Sequence, residues 1–315
     1  IDDSRSNGIT GPLTEDTTGT LFTAEDDYGT SLIFAGDIDN NWVSFAGYYW
    51  RIIRINGDGS VRMIYSGEDT GSVTDANRTG ETTQIGTSTF NEQYNDNAYV
   101  GYMYGTAGSD SYEETHANIN DSTIKTVLDT WYQTNLASYS SYISTEQGYC
   151  NDRSLNTTDE VWWENDTKLG YGINVTAYAP YGRILLNGSW RNNQTPTLKC
   201  SQSNDYFTLE ASSNGNQDLD YPIGLITNDE VVLAGGFGGM ENSNYYLHTN
   251  QYYWTMSPRS YNGSTAGMFL TYSTGYLSTG SVNIVHGVRP VINLDANVQV
   301  SGSGTSTDPY TVVGI

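Results

Sequence analysis

The chain has 315 residues, 37% of them hydrophobic and only 16% charged, enough for one large globular domain or two smaller ones with a substantial core. Its formal charge of −23, with 13 Lys and Arg in all, excludes nucleic acid as a partner, because phosphate binding needs clustered cations. The same imbalance argues against anionic membrane surfaces, and no apolar run has the length of a membrane span.

Abundant Tyr (26) and Gly (34), with many Ser and Thr, suit twisted sheets and long surface loops better than helical bundles. Residues 1–20, IDDSRSNGITGPLTEDTTGT, offer almost nothing to bury, so an extended arm is expected over 1–25. The chain opens on Ile1 rather than Met and carries no signal-peptide pattern, which reads as an export segment already removed. From Leu21 the pattern turns β-like, first at Thr20–Thr23 and then at Ser31–Gly36. Two β-rich runs, Val43–Ile55 and Ser60–Tyr65, flank Asn56-Gly57-Asp58-Gly59, the strongest hairpin signal in the chain. Alternation puts Trp50, Ile52, Val61 and Met63 on one face and Arg51, Ile53 and Arg62 on the other.

Residues 67–118 are rich in Gly, Thr, Asn and Tyr and hold short strands at best. An amphipathic helix is expected over 121–137: Asn120, Asp121 and Ser122 offer N-cap oxygens, and Ile124, Val127, Leu128, Trp131, Tyr132 and Leu136 repeat at helical spacing. A second, short helix is expected over 228–234. Thr227 and Glu230 form a capping box there, and Gly235-Gly236 stops it. This gives Asp229 and Glu230 a local structural task rather than an acid/base one. Three β-like runs follow, Tyr252–Met256, Met268–Tyr272 and Val282–Leu294, the last with Arg289-Pro290, where proline implies an edge or bulge. A polar linker and a short strand at Tyr310–Val313 close the chain.

Chemical candidates are sparse. His116, His248 and His286 lack metal-ligand spacing, and no GxSxG, HExxH or phosphate-loop pattern occurs. Asp37-Ile38-Asp39-Asn40-Asn41 begins like a calcium loop, but Trp42 stands where glycine is needed and no Glu closes it, so a strand-connecting turn is expected. No catalytic residue, metal ligand or cofactor is therefore expected. Cys150 and Cys200, outside any CxxC pattern, read as one disulfide in an oxidising setting, which points to the cell surface or beyond. Among eight N-x-S/T sequons, Asn77, Asn156, Asn165, Asn174, Asn187 and Asn262 are the candidate glycan acceptors. Asn120 competes with a cap role, and Asn193 is followed by Thr-Pro. Trp162-Trp163, Tyr245-Tyr246 and Tyr252-Tyr253 could stack on sugars, but a β-rich domain also needs such residues for core and subunit contacts, the favoured reading.

The segments FAGYYWRIIRINGDGSVRMIYSG (45–67), GYCNDRS (148–154), TPTLKCSQSNDYFT (195–208), YPIGLITNDEVVLAGG (221–236), YYWTMSP (252–258) and VRPVINL (288–294) together resemble an uncharacterised family of exported, in part pilin-like, surface proteins of Gram-positive and related uncultured bacteria. The order of capped helix, WTMSP strand and VRPV strand also resembles C-type-lectin-like and formylglycine-generating-enzyme-like domains. The Glu-Pro-Asn and Trp-Asn-Asp motifs of the lectins and the paired active-site cysteines of those enzymes are absent, so neither activity is implied.

The expectation is one β-rich α+β domain of C-type-lectin-like character over 26–295, with the arm before it and a linker and strand over 296–315. Its expected role is a non-enzymatic structural subunit of an extracellular bacterial fibre or pilus-like filament. Copies of the chain would pair with each other through strand or arm exchange, with covalent glycans as further partners. Leu21, Phe22, Leu32, Ile33, Phe34, Tyr310, Val312 and Val313 are the candidate inter-subunit strand residues. A monomeric adhesin or lectin is the alternative.

Overall fold

Alternating side chains broken by tight turns build the first half of the fold. The computed structural model describes residues 19–157, 165–186, 194–209, 214–238 and 241–315. In it β1 (Thr20–Asp26) and β2 (Gly29–Ala35) pair antiparallel along their whole length. The single run expected over Val43–Ile55 is instead two strands, β3 (Trp42–Phe45) and β4 (Tyr48–Ile55), folded back at Ala46-Gly47. Both turn residues have positive φ, 56° and 81°, which a two-residue hairpin requires and which alanine does not signal.

β5 (Val61–Glu68) returns after a loop closed by Asn56 and Ser60, and there Gly59 takes positive φ at 88°. Gly57 serves a different need: a Cβ on it would lie 2.5 Å from the Gly29 nitrogen, in the turn joining β1 and β2. The ladder slips between Ile52 and Arg54, so Ile52 faces Met63 while Arg54 faces Arg62. Such an irregularity shifts every later side chain to the opposite face. Arg54, rather than the expected Ile53, therefore shares a face with Arg62.

β4 is the hub of this sheet, with β5 along one edge and β3 and β2 sharing the other. A second sheet begins with β6 (Gly86–Ser88). α1 (Thr123–Asn135) starts later than expected, because Ser122 is its cap and Asn120-Asp121 instead pair with Met103-Tyr104. Ile124, Leu128, Tyr132 and Leu136 are buried as its periodicity demands, and Trp131 is half-buried. α2 (Asn228–Ala234) has the expected capping box and glycine stop, but all seven of its residues are buried.

The second sheet continues with β7 (Tyr253–Tyr261), β8 (Ala266–Thr271), β9 (Leu277–Ser281) and β10 (His286–Val288), in the order β9-β8-β7-β10-β6. Arg289-Pro290 then carries the chain across to the first sheet, where β11 (Val291–Leu294) pairs with β5. Proline has no N–H for either ladder, and here it stands at the switch between sheets, with its carbonyl accepting from the Tyr65 N–H at 2.9 Å. β12 (Val300–Ser301) and β13 (Tyr310–Val312) end the chain, β13 lying parallel on β3. One buried cluster runs from Phe34 to Val312 and includes both sheets and both helices. The protein is thus a β-rich α+β fold, with Cys150 and Cys200 joined by a disulfide. Among the described residues no helix is long and apolar enough to cross a membrane.

Candidate functional site

β4, β5 and α1 together enclose a cleft. Tyr48 opens β4, Tyr65 lies within β5 and Glu68 ends it, and Trp131 and Asn135 sit on the last turns of α1. With Gln84 and with Ala76 and Asn77 of the helical turn Asp75–Arg78, they line a cleft of about 580 Å³. Its three rings pack mutually edge-on or tilted, with centroids 5.5 Å apart for Tyr48–Tyr65, 5.4 Å for Tyr48–Trp131 and 5.8 Å for Tyr65–Trp131. The Tyr48 hydroxyl donates to Asn135 Oδ1 at 2.6 Å, and Asn135 Nδ2 donates to the Trp131 carbonyl at 2.8 Å, fixing the ring positions. Burial, then Tyr48 and Glu68, push the Tyr65 hydroxyl up, so it stays a protonated donor. Neither that hydroxyl nor Trp131 Nε1 has a hydrogen-bond partner among the described residues, and Gln84 Oε1 is buried without one.

Several buried charges elsewhere are paired within the chain. Arg54 contacts Asp26 at 2.7 Å and Glu230 at 3.1 Å, and Arg62 Nε lies 2.5 Å from the same Glu230 oxygen. Burial pushes Glu230 up, but Arg62, Arg54 and the Thr227 N–H more than offset it and hold the carboxyl below its usual value. A void of only about 20 Å³ adjoins this group, room for one water. Arg183 bridges Asp152 at 2.6 Å and Asp229 at 2.7 Å, and Arg153 grips Asp205 at 2.6 Å. Asp229 and Glu230 therefore hold the fold together well beyond their own helix. Asp121, Asp129 and Asp220 cluster closely enough to ligate a metal, yet the buried Lys125 ammonium lies 3.2, 2.7 and 2.8 Å from them, at the centre a cation would take.

Several sequence candidates move. Asn77 and Asn156 are 4% and 2% exposed, and Asn77 Nδ2 donates to the carbonyls of Ser66 and Glu68, so neither side chain has room for a glycan. Asn165 and Asn262 are exposed, Asn174 is half-buried, and Asn187 lies outside the described residues. Leu21 and Phe22 pair with Phe34 and Ile33 of the same chain, and Leu32 and Ile33 pair onward with β4. Tyr310 and Val312 pair with β3 and β12, while Val313 is exposed. Glu25 and the residues before it thus belong in part to the sheet, and β1 is its outermost strand, bridged on its far side at Asp26 to Leu198.

Tyr245, Tyr246 and Tyr253 are core residues, Tyr252 is 40% exposed, and Trp162-Trp163 lie outside the described residues. His116 is buried, and His248 and His286 are partly buried in separate places. Asp39 accepts from Trp42, Arg78 and Ser306 in the segment joining β2 and β3. Sequence reading missed the cleft altogether; the one available signal was Trp131 at the margin of the apolar stripe. No family model matches the chain, and no curated protein or solved structure matches it significantly.

Proposed function

We propose that the chain is a non-enzymatic structural subunit of an extracellular bacterial fibre or pilus-like filament, with a C-type-lectin-like domain as its body. The observation that carries this reading is the edge of β1, outermost in its branch of the sheet and bridged on its far side only at Asp26 among the described residues. An unpaired strand edge is a template for a segment of another copy, and a head-to-tail contact of that kind propagates rather than closes. Strand exchange using β2 or β13 is less favoured, because both are already paired on two sides within the chain. The disulfide supports an oxidising, extracellular setting, and exposed Asn165 and Asn262 keep surface glycans in the reading. The adhesin alternative is favoured by one feature, the aromatic cleft.

The test is negative-stain imaging of the purified chain with and without residues 1–18. Fibres that vanish on truncation support exchange at the β1 edge. Discrete particles from the intact chain overturn the fibre reading, and fibres that survive truncation overturn the arm's role.

A further inference from the structure

We propose that the cleft between Tyr48, Tyr65 and Trp131 is a binding site for a neutral saccharide. Its volume of about 580 Å³ falls within the range of small-molecule sites, about 300–1,000 Å³. The lining joins two kinds of group that a pyranose ring needs together. Aromatic rings offer apolar surface to the C–H face of a sugar, and Tyr48 and Trp131 are only half-buried at the cleft wall. Ring hydroxyls need donors and acceptors around that face. The Tyr65 hydroxyl and Trp131 Nε1 are donors without a protein partner among the described residues, and the exposed Glu68 carboxylate on the same lining is an acceptor. These groups are free of protein partners and stand beside the rings, so a sugar seated on the aromatic surface can bond to them through its hydroxyls.

Charge selects the class of sugar. Glu68 is the one ionisable carboxylate in the lining, and no Lys or Arg lines it, so a sialylated, sulfated or phosphorylated sugar would meet repulsion with no counter-charge. A single carboxylate also fits binding and not cleavage, since glycoside hydrolysis commonly uses two placed about 5–9.5 Å apart. The site holds for a fibre subunit and for a monomer alike, so imaging and sugar titration fail independently.

The experiment titrates the full chain with cello-, malto-, manno- and chitotriose to about 10 mM, the range of weak single-site binding, with sialyllactose as the anionic probe. Tryptophan fluorescence and saturation-transfer NMR report binding. At least one neutral trisaccharide should saturate and sialyllactose should not. Trp131→Ala should weaken that binding about tenfold or more. Because Trp131 also packs on Trp50, a second variant is needed: Ala76→Arg, at an exposed lining position, should block the cleft while leaving the melting temperature unchanged. Absence of binding by all four neutral sugars overturns the proposal. So does binding that survives both variants, or equal binding of sialyllactose.

Discussion

Glu230 and Gln84 are both almost wholly buried polar side chains, 3% and 8% exposed, yet their surroundings are opposite. Glu230 receives Arg54, Arg62 and the Thr227 N–H. Gln84 Oε1 lies against Gly287, where a Cβ would come within 1.6 Å of it, and accepts from nothing. His116 stands between them: its Nε2 meets the Gly170 carbonyl at 2.8 Å, while its Nδ1 has no partner. Burial is the same condition in all three, and the number of partners differs. A polar group whose partners all come from the chain holds the fold, and one sealed in without a partner leaves its desolvation uncompensated.

Substitution should separate these residues in that order. Glu230→Gln removes the counter-charge of two buried arginines, and a loss of about 3–5 kcal/mol is expected in urea unfolding. A loss under about 1 kcal/mol would break the distinction at its strong end. His116 should act through pH. Burial, then Arg153, hold its imidazole well below the usual 6.5, against the pull of the Gly170 carbonyl, so it is neutral in the fold. Unfolded histidine takes up a proton near pH 6.5, and its folded counterpart does so only at lower pH. The contribution of the neutral ring is therefore complete above pH 6.5 and is lost as pH falls toward the folded value. Melting temperature should drop from pH 7 to pH 5, and His116→Gln should flatten that slope; an unchanged slope would remove His116 as its source. Gln84→Met should cost least, within about 1 kcal/mol, because no hydrogen bond is lost at Oε1. A loss near that of Glu230 would make the cleft wall structural.

Much of the fold is legible where the physics is local. The capping box of Thr227 and Glu230 is satisfied within one helical turn, so α2 is readable from a few residues. The Asn56–Gly59 loop is readable for the same reason, as is the stripe of α1. The turn at Ala46-Gly47 is hidden because the strands on either side, held by their partners, impose a positive φ on an alanine. The slip at Ile53 is hidden because only the opposing strand defines it. Buried sequons teach the same lesson: Asn77 has the pattern of an acceptor, and its amide is spent bracing β5.

By itself, then, the chain determines its class, its two caps, its main hairpin turn and its cysteine pair. Each of these rests on backbone preference or on elimination within a short stretch, or among two candidates. Tertiary structure alone decides that Arg54 turns onto the face of Arg62, that Glu230 receives both, and that Pro290 carries the chain between sheets. It also decides that Tyr48, Tyr65, Gln84 and Trp131 meet around one opening. These arrangements depend on which distant strands pair and on what remains unpaired afterwards, and no local propensity encodes either.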